Sequence, residues 1–111
     1  MKKLVYTPEA VRQLKSVKAY ISDTLQNPKA ADNIVRKITA GCRLLVEFPD
    51  MGRSVNLIDD GIPVRLLIVD NHVIIYDVTG DAVRIISVED ARSDWAQYFI
   101  RQYTGESVFI K

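Results

Sequence analysis

A single cysteine, Cys42, excludes an internal disulfide, and with His72 as the sole imidazole there is no ligand set for a classical zinc site. No apolar run reaches the roughly 18 residues that a membrane span needs. The opening Met1-Lys2-Lys3-Leu4-Val5-Tyr6 is cut by Thr7-Pro8-Glu9 before a signal-type core can form. The expectation is a soluble cytoplasmic protein with no membrane role. The sequence also lacks a Gly-rich phosphate loop, a paired-histidine motif and any Ser-His-Asp set. No metal, cofactor or small-molecule ligand is therefore expected. Internal repeats, linkers and low-complexity segments are missing too, so residues 1–111 read as one domain.

What is present is ordinary globular material: 48% hydrophobic and 26% charged residues, with a net charge of +1. The charge is unevenly placed. Residues 1–53 carry ten Lys or Arg against five Asp or Glu, and residues 54–111 carry five against nine. A basic half of this kind can meet an acidic protein or a phosphate backbone, whereas the near-neutral total argues against binding nucleic acid by charge alone.

Residues 3–6 read as a strand stopped by Thr7-Pro8-Glu9, where Thr7 caps a helix and Pro8 takes its first position. Ala10, Val11, Leu14, Val17, Ile21 and Leu25 fall in one arc of that helix, with Arg12, Lys15 and Asp23 facing away. Asn27-Pro28 repeats the start signal for a second helix reaching Glu47, with a seam of Ala31, Ile34, Val35, Ile38, Cys42 and Leu45. Residues 49–62 read as a loop with one brief strand near Val55–Ile58. Three β-branched runs follow, 64–69, 73–78 and 83–88, separated by Asp70-Asn71-His72 and Thr79-Gly80-Asp81. Helical spacing returns over 89–103, and residues 104–111 read as a flexible tail. The expected fold is α+β: an N-terminal strand, a helical hairpin packed on one face of a four-stranded, mostly antiparallel sheet, and a C-terminal helix.

His72, inside a turn composition, is expected to be solvated. Cys42, between Ile38 and Leu45, is expected to fill the core with its thiol pKa raised. Lys29, Arg36 and Arg43 are seven residues apart and share one outward stripe of the second helix. With Asp32 and Glu47 four residues from Arg36 and Arg43, the stripe is either a solvated face of intrahelical pairs or a surface for an acidic partner or phosphate. Arg65 and Arg84 each lie within an apolar strand on the face opposite their apolar neighbours. On one open sheet face two such guanidinium groups could clamp phosphate or carboxylate, with Arg92 a third candidate for that surface.

The segments Val5–Ala10, Pro28–Ala31, Leu44-Leu45 through Phe48–Gly52, Ile62–Val69, Val73–Val78 and Val83–Val88 before Ala91–Asp94 together resemble the RelE/ParE superfamily of bacterial type II toxins. The resemblance implies a small growth-inhibiting toxin neutralised by a separate antitoxin. Members of the RelE kind cleave mRNA on the ribosome with basic residues on the sheet and a Tyr or His near the C-terminus. The ParE kind poisons DNA gyrase without known catalytic residues. Here Val73 stands where such nucleases often carry an arginine, and Glu89-Asp90-Ala91-Arg92 contains no histidine and two acids. The resemblance is thus closer to the ParE kind: a non-enzymatic protein binder with its cognate antitoxin as first partner and DNA gyrase as target. The alternative is a ribosome-dependent mRNA endoribonuclease whose candidate groups are Arg65, Arg84, Arg92 and Tyr98. Antitoxins of this class tend to be acidic, which directs antitoxin binding to the basic outer face of the helical hairpin, with Lys29, Arg36 and Arg43, and to the groove between the hairpin and the sheet.

Overall fold

Both long helices begin where a side-chain oxygen can serve an otherwise unpaired backbone donor. Thr7 Oγ1 accepts from Ala10 N at 3.1 Å and Asn27 Oδ1 from Ala30 N at 3.1 Å, with a proline following each cap. The computed structural model describes residues 2–56 and 63–104. Strand β1 (Lys3–Tyr6) leads into α1 (Pro8–Ala19), then α2 (Pro28–Glu47), β2 (Arg53–Asn56), β3 (Pro63–Val69), β4 (His72–Thr79), β5 (Ala82–Asp90) and α3 (Trp95–Thr104). Of the tail expected over 104–111, Thr104 is the last residue of α3, and residues 105–111, like 57–62 of the expected loop, lie outside the described residues.

The first helix does not run to Leu25 as one α-helix. It changes at Tyr20–Thr24 into a π-helical turn, and Gln26 closes the segment with φ +52°. Leu25 is consequently exposed, as is Val11, about 100° round the helix from the buried Ala10. The seam of α2 is as expected, with Ala31, Ile38, Cys42 and Leu45 buried and Ile34 packed against the same core.

The strands order β1-β5-β4-β3-β2, with β1 parallel to β5 and the other pairs antiparallel. The sheet therefore has five strands, not four. The additional one is β2 (Arg53–Asn56), the brief strand expected near Val55–Ile58 but starting two residues earlier and joined to the sheet beside β3; residues 57 and 58 lie outside the described residues. The helical hairpin covers one face, over Ile74, Tyr76, Val83, Ile85 and Val88. On the other face, Phe99 and Trp95 of α3 pack against Val64, Leu66, Val73, Ile75 and Ile86. Burial on both faces is why β4 reads Val73-Ile74-Ile75-Tyr76 without alternation. Within β5, Ile86 is an extra residue: Ile75 pairs with Ser87 and Tyr76 with Ile85, so the ladder bulges there.

His72 is not a solvated turn residue. The β3–β4 connection is only Asp70-Asn71, Asp70 supplying φ +52°, so His72 belongs to β4 opposite Val69 and Asp90 and is 8% exposed. Its Nδ1 is buried without a hydrogen-bond partner, and burial lowers its pKa from 6.5. A base with a depressed folded pKa contributes stability that is complete above its unfolded value and lost as the pH falls below it. Denaturation is therefore expected to show stability declining from pH 7.5 to 5.5, and a His72→Leu variant should lose that decline.

Candidate functional site

The turn between α2 and β2 is fastened from beneath by two sheet residues. Tyr76, fully buried, accepts from Gly52 N at 2.9 Å and donates to Pro49 O at 2.8 Å. Arg65 donates to Gly52 O at 2.7 Å and to Asp50 O at 3.3 Å, and its guanidinium lies 3.3 Å from the Asp50 carboxylate. Burial pushes the Tyr76 hydroxyl pKa upward, away from any role as a base.

Arg65 and Arg84 do not share a face. Arg65 pairs with Tyr76 and Arg84 with Asp77, consecutive residues of β4, so the two guanidinium groups leave the sheet on opposite sides. Arg84 is held by Asp77 through Nε at 3.2 Å and Nη2 at 2.6 Å, a two-point carboxylate clamp. Arg92 lies beyond β5 and folds back on Asp90, with Nε–Oδ1 3.1 Å and Nη2–Oδ2 3.0 Å. Hydrogen bonds from Arg92 hold the Asp90 carboxyl below its ordinary value and raise the guanidinium in turn. Tyr98 is exposed on α3, beside Asp94, Gln97 and Arg101. The four candidate groups of a nuclease are thus dispersed over both faces and one end of the sheet. Among the described residues no cluster of His, Cys, Asp or Glu could hold a metal ion, and no helix is long and apolar enough to cross a membrane.

The stripe on α2 is assembled as expected: Lys29, Arg36 and Arg43 are all exposed. The intrahelical pairs are not formed. Asp32 reaches across the hairpin to Lys18 at 3.6 Å, and Lys37 pairs with Asp70 of the β3–β4 turn at 3.2 Å. No ion pair among the described residues uses Lys29, Arg36 or Arg43. Beneath them Cys42 is buried beside Tyr6, and burial raises both the thiol and the phenol pKa.

Residues 4–95 match the family model described as ParE toxin of type II toxin-antitoxin system, parDE. The chain belongs to the ParE toxin family. Among solved structures this ParE-family chain is similar in fold to one from the chromosomal ParDE TA system from P. aeruginosa. That likeness has a TM-score of 0.68 at 21% identity, over 83% of this chain and 98% of the other. No curated protein matches the chain.

Two features of this ParE-family toxin escaped the sequence. One is a polar knot between α1 and the bulge of β5. Gln13 Oε1 accepts from Val88 N at 2.7 Å, its Nε2 donates to Glu89 at 2.8 Å, and the single Ser87 hydroxyl proton lies between Gln13 Oε1, 3.1 Å from Ser87 Oγ, and the Glu89 carboxylate. The other is the exposed trio Leu44, Phe48 and Met51 at the end of α2. The spacing of four between Leu44 and Phe48, outside the buried seam, was the available signal.

Proposed function

We propose that this ParE-family toxin arrests growth by binding DNA gyrase and is neutralised by a cognate antitoxin docked on the basic stripe Lys29, Arg36 and Arg43. The observation that carries the proposal is the dispersal of Arg65, Arg84, Arg92 and Tyr98. Cleavage at a ribose 2′-OH needs a base and cations converging on one phosphate. Here each arginine serves the fold instead: Arg65 a turn, Arg84 its neighbour Asp77, and Arg92 Asp90. A toxin acting by protein contact needs no such convergence.

Pulse labelling of new DNA and new protein shortly after induction of the chain alone is the test. DNA synthesis is expected to fail first while translation continues, and Arg84→Ala and Arg92→Ala variants should stay toxic. Early loss of translation, abolished by either substitution, would instead establish the ribosome-dependent endoribonuclease.

A further inference from the structure

The exposed arc of α2 continues past Arg43 into apolar surface. Leu44, Phe48 and Met51 are 49%, 56% and 44% exposed, and the last two border an open depression of about 570 Å³ lined by Glu47, Phe48, Pro49, Asp50 and Met51. Large apolar side chains left exposed at the rim of a depression, as Phe48 and Met51 are, with Leu44 one helical turn before Phe48, are the kind of surface that marks an interaction site. The turn carrying Met51 is held by Tyr76 and Arg65 through bonds to Pro49, Asp50 and Gly52. A turn fixed from below loses little freedom when a partner lands on it, which favours binding. Charge supplies the other half of the pattern. Lys18 and Lys37 of the same hairpin find carboxylates, whereas Lys29, Arg36 and Arg43 have none among the described residues.

We infer that one continuous antitoxin segment covers this face, acidic where it crosses Lys29, Arg36 and Arg43 and carrying a bulky aliphatic or aromatic anchor where it reaches Leu44, Phe48 and Met51. This rests on the assignment of antitoxin binding to the basic stripe. At 1.5 Å per helical residue, Lys29 and Arg43 stand roughly 21 Å apart along the axis. The acidic stretch must therefore span about that distance, which is six or seven residues of extended chain at roughly 3.3 Å each. The anchor follows directly, beyond the Arg43 end.

The test is titration of the purified cognate antitoxin against the full-length chain at low and high salt. Phe48→Ser with Met51→Ser, which adds no charge, is expected to weaken binding by roughly thirtyfold or more, the loss typical of an interface anchor, with unchanged salt dependence. Both side chains are exposed, so the melting temperature should stay near that of the native chain. Arg36→Glu with Arg43→Glu should weaken binding and flatten its salt dependence. Unchanged affinity in the apolar variant, with the arginine variant weakened, overturns the anchor and leaves the stripe assignment standing. Unchanged affinity in the arginine variant overturns the stripe assignment and the acidic stretch with it.

Discussion

Gly52→Ala is expected to destabilise the fold by about 3 kcal/mol, the upper part of the range for a side chain forced into filled space. A Cβ at this position would lie 2.6 Å from Tyr76 Oη, 2.7 Å from Tyr76 Cε1 and 2.7 Å from the Leu66 carbonyl oxygen. The tyrosine ring is fully buried and the carbonyl belongs to β3, so neither can retreat without moving the sheet. The added methyl would also disturb the Gly52 N–H bond to Tyr76 and the Gly52 carbonyl bond from Arg65. Tyr76→Phe separates these effects. It keeps the ring and removes only the hydroxyl, leaving Gly52 N–H and Pro49 C=O short of a partner, and should cost about 1–2 kcal/mol. Chemical denaturation of the two variants measures both. A Gly52→Ala loss no larger than that of Tyr76→Phe would mean that the turn relaxes and is not rigidly fastened.

The starts of the two long helices were legible because capping is local: Thr7-Pro8 and Asn27-Pro28 carry their own geometry within four residues. The seam of α2 was legible for a related reason, since helical periodicity assigns a face without reference to anything else in the chain. The arginines were not. Alternation places Arg65 opposite Leu66 and Arg84 opposite Ile85 within their own strands, but only the register across β4 relates the two strands. That register sets Arg65 beside Tyr76 and Arg84 beside Asp77. The assumption of one open sheet face concealed the difference. The unbroken apolar run from Val73 to Tyr76 was the available sign that α3 covers the second face. For His72 one residue of turn length decides between solvent and the ladder, and a two-residue Asp70-Asn71 turn puts it in the ladder. The candidate site divides in the same way: the cationic stripe belongs to one helix and was readable, whereas the turn lock of Tyr76, Arg65 and Gly52 joins residues 24 and 13 positions apart.

The knot at the β5 bulge is the least legible feature, and its removal should be among the most damaging. Gln13→Leu is expected to lower stability by about 2 kcal/mol, because it leaves the buried Val88 N–H without a partner while approximately preserving volume. The extra residue Ile86 turns the strand so that Val88 N–H lies within 2.7 Å of Gln13 Oε1 from α1. Without the amide that donor has no replacement in the knot, and Glu89 loses the 2.8 Å bond from Nε2. Ser87 still reaches Glu89, so Ser87→Ala in the native background should be milder, about 1 kcal/mol. The Gln13–Ser87 contact spans 74 positions of sequence, and α1 is seated on β5 through the knot as well as through apolar burial. Loosening it should therefore release the N-terminal half of the hairpin first. Amide exchange in the Gln13→Leu variant is expected to accelerate in α1 and at Val88 more than in β3 and β4. A uniform acceleration across the sheet would show that the knot stabilises the whole fold and does not locally tie α1 to β5.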